Sequence, residues 1–210
     1  QCHRIAPLME HSTLAETLAA RAIMTTDLTE KHALIRGEGF SVGGITKGSG
    51  LIAPNMGTML AFLYTDAAIS ASSLSTALRQ AANRTFNRIV VDGDMSTNDI
   101  ALCTATGKAG KVDTKEFSVA LEECCRALAI KIAEDGEGAS KLLEVTVERA
   151  PGEEEAASVA RTVIASPLVK TAVYGADPNW GRVIAAAGRA GVDFEPDRVN
   201  LWMGNGTDSV

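Results

Sequence analysis

The chain has few aromatic side chains, few histidines and no long apolar run, and each shortage removes a class of protein. Phe, Tyr and Trp make up 4% of its 210 residues, so its core has to come from close-packed small and aliphatic side chains. His3, His11 and His32 offer no ligand pair at helical spacing, which argues against a zinc site. Cys2, Cys103, Cys124 and Cys125 lack C-x-x-C spacing; reduced, partly buried thiols and a cytoplasmic location are expected. Basic residues are in deficit, and the net charge of −6 leaves no basic face for nucleic acid, which demands one to neutralise phosphates. No apolar stretch approaches the roughly 18–20 residues that span a bilayer. No signal peptide is visible at Gln1, although the chain does not open with Met.

What is present is a mixture of helical and strand patterns. Ser12 caps a helix through Leu14, Leu18, Ala22 and Ile23 that stops near Met24-Thr25-Thr26-Asp27. His32 to Ile35 and Phe40 to Ile45, separated by Gly37-Glu38-Gly39, read as a β-hairpin. A Gly/Pro-rich turn from Lys47 to Pro54 leads to an apolar strand, Met59 to Tyr64. Ser72 or Ser73 caps a second helix through Leu74, Leu78 and Ala81, followed by a β-rich Arg88 to Val91. Asp113-Thr114-Lys115-Glu116 has the form of a capping box. The helix it opens carries Phe117, Leu121, Cys124, Cys125, Leu128 and Ile132 as an apolar stripe suited to a sheet. Further expectations are a strand at Leu142 to Val147, a helix opened by Glu153-Glu154-Glu155, a strand at Val169 to Tyr174, a Pro178-opened helix and a strand at Val199 to Met203. No regular βαβ repeat emerges, so an α+β layered architecture in one domain is expected.

Four stretches carry polar chemistry. Gly43 to Gly50 resembles a phosphate loop only loosely, because Lys47 precedes Gly48 instead of following the last glycine. Lys47 reads either as an exposed lysine or as a cation folded back to hold developing charge or a substrate carboxylate. Asp92 to Asp99 supplies oxygen ligands for a divalent cation, but Asx-turn and cap chemistry explains it more cheaply. Glu137, between two glycines after the Asp113 helix, is a candidate to receive a substrate amino group; the alternative is a solvated turn. Asp177-Pro178 opens a helix whose free amides, with Arg182 nearby, suit an anion; the alternative is that the stretch stabilises the fold around Trp180.

The most informative run is Lys47-Gly48-Ser49-Gly50-Leu51-Ile52-Ala53-Pro54-Asn55-Met56-Gly57-Thr58-Met59. Gly57 leaves its carbonyl open to attack, and a hydroxyl residue follows it before an apolar strand. Attack by the Thr58 hydroxyl, then ester hydrolysis, would free an α-amine able to serve as base for that same hydroxyl. Thr before an apolar run is more often a simple strand opening. Together with Ala22 to Asp27, Phe86-Asn87-Arg88, Asp92 to Asp99, Asp135 to Ala139, Ser166 to Thr171 and Asp177 to Arg182, however, the run resembles the ornithine acetyltransferase family, the glutamate N-acetyltransferases of arginine biosynthesis. Gly57 stands where that family more often has Ala.

The resemblance implies an α-β-β-α sandwich of N-terminal-nucleophile-hydrolase type. It also implies cleavage between Gly57 and Thr58, so that residues 1–57 end an α chain and residues 58–210 begin a β chain. By position, Thr58 is the implied nucleophile, and Thr25, Lys47 and Glu137 are implied ligands of the ornithine or glutamate moiety. The implied reaction moves acetyl from N-acetylornithine to glutamate without a cofactor, in a heterotetramer of two α and two β chains. The family's oxyanion-hole Thr-Gly pair falls at or before Gln1 and its C-terminal contacts fall beyond Val210, so an internal portion of a longer protein is expected. Aminopeptidase or amidohydrolase chemistry on the same scaffold, acceptance of acetyl-CoA, an anion-binding module and a non-catalytic assembly protein stay open at this point.

Overall fold

Four strands in chain order organise the first of two units. The computed structural model describes residues 12–52, 59–94 and 96–204, and the units are Gln1–Glu137 and Gly138–Val210. After α1 (Thr13–Ala22), capped by the Ser12 hydroxyl, come β1 (Lys31–Gly37) and β2 (Phe40–Lys47). These two form the expected hairpin. β3 (Leu60–Ala68) runs antiparallel to β2, whereas β4 (Ile100–Lys111) lies parallel to β3. A parallel pair requires a crossover, which α2 (Ala71–Arg84) supplies. α3 (Thr114–Glu134) completes the unit. The α+β reading holds.

One face of the sheet is packed. Phe117, Leu121, Cys124, Cys125, Leu128 and Ile132 of α3 are fully buried, together with Val42, Ala61, Leu63 and Ala67 of the sheet. Gly44 is what lets α3 lie so close: a Cβ there would come within 2.8 Å of the Leu63 side chain and 3.1 Å of Leu128. The other face exposes Leu34, Tyr64, Ile100 and Leu102. Glu16 of α1 reaches this face and accepts a hydrogen bond from the Tyr64 hydroxyl at 3.3 Å. Helices on one side and an apolar sheet surface on the other make one α-β half of a layered sandwich.

The second unit packs α4 (Glu153–Ile164), α5 (Pro167–Tyr174) and α6 (Trp180–Ala187) around Val163, Val169, Ala186 and Ala187. The acidic first turn of α4 complements the helix dipole, as expected. Lys141 donates to the carbonyls of Val173 and Tyr174 at the end of α5, satisfying acceptors left over by the helix.

Several local expectations are corrected. Arg88 to Val91 makes no strand; it follows a 3₁₀ turn at Phe86–Arg88, and the fourth strand is β4 instead. The cap of α2 is Ser70, earlier than Ser72 or Ser73. Asp113 does accept from the amides of Lys115 and Glu116, but the Glu116 carboxylate reaches across to the Glu38 amide in the hairpin turn. Val169 to Tyr174 lies in α5, where Ser166 as cap and Pro167 in the first turn override β-branched composition. α6 opens at Trp180 with Asn179, not Asp177, as its cap. Leu142 to Val147 and Val199 to Met203 form no strands.

Candidate active site

Lys47 closes β2 opposite Leu60, the first residue of β3, and the loop that follows it is anchored from below by buried charge. Asp27, Lys31 and Asp135 meet there. The Lys31 ammonium donates to Asp27 at 2.7 Å and to Asp135 at 2.5 Å, with Lys31 1% exposed. Two carboxylates against one cation would be costly in a dry interior without further donors. The backbone provides them. Asp27 accepts from the amides of Gly48 at 2.7 Å and Thr25 at 3.2 Å, and Asp135 from Leu28 and Thr29. Burial pushes the Asp27 carboxyl upward, but Lys31 and the two amides outweigh it and hold the group below its ordinary value.

This cluster fixes three candidate residues. Lys47 is 5% exposed, so it is not a solvated lysine, and its ammonium donates to the Thr25 hydroxyl at 3.2 Å. The Thr25 amide is itself tied to Asp27. Glu137 follows Asp135 by two residues; its amide donates to the Ser49 carbonyl at 3.0 Å, and the Ser49 hydroxyl donates to the Asp135 carbonyl at 2.7 Å. The Glu137 carboxylate lies over Gly50, where a Cβ would stand 2.7 Å from it. Thr25, Lys47 and Glu137 are thus mounted on one polar scaffold. Gly57 and Thr58 lie outside the described residues, but Met59 immediately follows them and enters β3 beside this scaffold.

Asp92 to Asp99 serves backbone amides. The two oxygens of Asp92 accept from Leu51 at 2.6 Å and Ile52 at 3.1 Å, and the Asp94 amide also donates to it. Asp99 accepts from the Met59 amide at 2.8 Å. Burial raises the Asp99 carboxyl from its ordinary value, opposed by the Met59 amide and the Lys47 charge. The turn reading therefore accounts for Asp92 and Asp99.

The structure gives the anion-site idea little footing. Gly43 and Gly44 lie within β2, and the Arg182 guanidinium donates to the Leu168 carbonyl and the Thr171 hydroxyl. Sequence reasoning missed Lys31 and its two carboxylates as a unit. Lys31 shares strand parity with Ala33 and Ile35, which pack on the core, and a lysine on the inward parity of a strand is the signal that would have found it.

Comparison with known proteins bears on the family of the chain. The family model described as ArgJ family matches residues 2–208. Glutamate N-acetyltransferase from Methanothermobacter thermautotrophicus is 44% identical over 207 residues, covering 96% of this chain and 51% of the relative. Arginine biosynthesis bifunctional protein ArgJ from Dehalococcoides mccartyi is 48% identical over 196 residues, covering 88% of this chain and 48% of the relative. The crystal structure of arginine biosynthesis bifunctional protein ArgJ from Bacillus halodurans superposes with a TM-score of 0.64 at 48% identity, covering 66% of this chain and 68% of that one. The chain spans about half the length of the curated relatives it matches. With a family match from end to end and close relatives along it, the chain belongs to the ArgJ family.

Proposed function

We propose that this chain is the nucleophile-bearing part of a glutamate N-acetyltransferase that passes acetyl from N2-acetylornithine to glutamate through an acetyl-Thr58 ester. The observation that carries the reading is the mounting of Thr25, Lys47 and Glu137 on one buried scaffold at the end of β2, in a chain whose relatives bear that enzyme name. Activation comes first. The Thr58 oxygen bonds to the Gly57 carbonyl carbon, the Gly57–Thr58 C–N bond breaks, and the hydroxyl proton passes to the departing nitrogen. Water then splits the ester, leaving a Gly57 carboxylate and a free Thr58 α-amine. An amine of this kind has an ordinary pKa of about 7.7–8.0, suited to accepting a proton near neutrality.

In turnover the α-amine takes the Thr58 hydroxyl proton as the oxygen attacks the acetyl carbonyl of acetylornithine. The acetyl C–N bond breaks, the proton moves to the leaving nitrogen, and ornithine departs. The glutamate amine attacks the ester, Thr58 recovers its proton, and N-acetylglutamate leaves. Lys47 holds a substrate carboxylate with Thr25 beside it, and Glu137 receives the substrate's distal ammonium. The ester retains the energy of the donated acyl group. The working assembly is a cytoplasmic heterotetramer of two α and two β chains.

Intact-mass measurement of the full-length protein tests the reading, with two masses meeting at Gly57/Thr58 expected. Thr58→Ala is expected to stay in one piece and to lose transfer. If that variant still forms acetylglutamate, Thr58 is not the acyl carrier; if the wild type releases acetate without acetylglutamate, the enzyme is a hydrolase.

A further inference from the structure

We propose that Ser49 is a positioning residue for Glu137, and through it sets how strongly the enzyme prefers an acyl donor that carries a distal ammonium. This role rests on the assignment of Glu137 to the substrate's distal ammonium made above. Ser49 is 3% exposed and makes two hydrogen bonds to one turn. Its hydroxyl donates to the Asp135 carbonyl at 2.7 Å, and its carbonyl accepts from the Glu137 amide at 3.0 Å. The two bonds fall on either side of Gly136, so they fix the angle of the turn as well as its distance from the loop after β2. One bond alone would leave the turn free to pivot.

Asp135 is a fixed post for this contact. It caps the C-terminus of α3, and its carboxylate is held by Lys31 and by the amides of Leu28 and Thr29. Glu137, by contrast, is exposed, and its carboxylate lies over Gly50. A carboxylate on a long exposed stem is a poor ligand unless the backbone beneath it is fixed, because ordering the stem opposes binding. Ala at position 49 removes the hydroxyl and leaves the turn held at one point.

The carboxylate end of the substrate is fastened separately. Lys47 pairs with Leu60 in the ladder, and the Gly48 amide next to it donates to Asp27 at 2.7 Å. The Thr25 amide donates to the other oxygen of that carboxylate at 3.2 Å. None of these bonds passes through the Ser49 hydroxyl. Its loss therefore falls on Glu137 and spares the Lys47–Thr25 pair, an asymmetry that general loosening of the fold would not produce.

Three acyl donors separate the two ends: N2-acetylornithine, N-acetylnorvaline, which has the same carbon chain without the distal amine, and N-acetylputrescine, which lacks the carboxylate. Acetylglutamate formation by the full-length enzyme gives kcat/KM for each, with the thermal midpoint as the control for folding. Wild type is expected to prefer acetylornithine over each truncated donor by about tenfold or more, the scale of a lost charge-assisted hydrogen bond. In Ser49→Ala the preference over acetylnorvaline is expected to fall at least about fivefold, and that over acetylputrescine to stay within about twofold.

An unchanged preference over acetylnorvaline overturns the positioning role. An equal loss on all three donors, or both preferences falling together, also overturns it, since a purely structural residue would give either. A wild type that transfers no acetyl, or that treats acetylornithine and acetylnorvaline alike, sinks the assignment of Glu137 and this role with it; a discriminating wild type beside an equally discriminating variant sinks this role alone. If Ser49→Ala does not fold, Ser49→Cys, which keeps the shape and offers only a weak donor, decides by the same two ratios.

Discussion

The Lys47 ammonium stands 3.2 Å from the Thr25 hydroxyl oxygen, joining the last residue of β2 to the turn after α1. Lys47 is almost wholly buried, so its charge is poorly shared with solvent and suited to a bound anion. In the full-length enzyme, Lys47→Met is expected to raise KM for acetylornithine about tenfold or more, as loss of a charge-assisted hydrogen bond of roughly 1.5–3 kcal/mol implies. Lys47→Arg is expected to recover little, because a planar fork does not fit the space of a compact ammonium. Steady-state kinetics with varied acetylornithine check both; an unchanged KM removes Lys47 from substrate binding.

Gly50 offers a gentler probe of the same scaffold. A methyl group there meets the end of a flexible glutamate side chain, so the fold should tolerate Gly50→Ala while Glu137 is pushed aside. The expected result is a raised KM for acetylornithine with a thermal midpoint close to wild type. A variant with wild-type KM would show that Glu137 need not sit over Gly50 to work.

Lys31 is paired with two buried carboxylates, Asp27 and Asp135. Lys31→Met leaves both without their cation, and breaking a buried pair of this kind typically costs about 3–5 kcal/mol. The midpoint of denaturant unfolding is expected to fall accordingly. Asp27 adds a pH dependence. Its folded pKa is depressed, so its contribution is complete above the unfolded value near 3.9 and is lost as pH falls through the lower folded value. The stability difference between wild type and Asp27→Asn should therefore be constant from pH 7 to about 5 and shrink below about pH 4. Unfolding curves at several pH values measure it, and a difference that grows on acidification would contradict the sign.

These groups also mark where the sequence was legible and where it was not. The α3 stripe from Phe117 to Ile132 announced itself because its period is helical and one face is wholly apolar. The hairpin of β1 and β2 was equally plain from its glycine turn. β4 was missed because its residues alternate between small side chains on the packed face and Ile100, Leu102 and Thr104 on the other, so neither face looked polar. α5 was misread because Val169, Val173 and Tyr174 favour strands, while the Ser166-Pro167 start signal was outweighed. Lys47 and Glu137 were offered by their local sequence only beside a solvated alternative, and Thr25 was reached through resemblance alone; nothing in their spacing joins residues more than twenty apart. Of the charged cluster beneath them, strand parity signals Lys31 alone; its contact with Asp135 is tertiary.

The thiols give a test of burial in the first unit. Cys103, Cys124 and Cys125 are free, and desolvation pushes the Cys103 thiol up to about 11 and the Cys124 thiol to about 12. Thiolate is the reactive form, so native protein at pH 8 is expected to leave these three unmodified by iodoacetamide, and unfolded protein to react at all of them. Peptide mass mapping separates them from Cys2. Rapid native labelling of Cys124 would show that α3 is not seated on the sheet.

Cleavage before Thr58 would fall inside the first unit, not at its boundary with the second. β2 lies upstream of the bond and β3 downstream, and the two are paired from Val42–Thr65 to Lys47–Leu60. Val42 and Leu63, one on each side of the cut, are buried together under the same helices. Breaking one peptide bond removes neither the ladder nor that apolar contact. The two pieces of the full-length protein are therefore expected to co-elute as one species under native conditions and to part only in denaturant. Leu63→Asp, which buries a charge with no partner in that core, should release the upstream piece after cleavage. Size-exclusion chromatography with mass detection measures the outcome, and pieces that separate in native buffer would mean that the β2–β3 pairing does not hold the mature protein together.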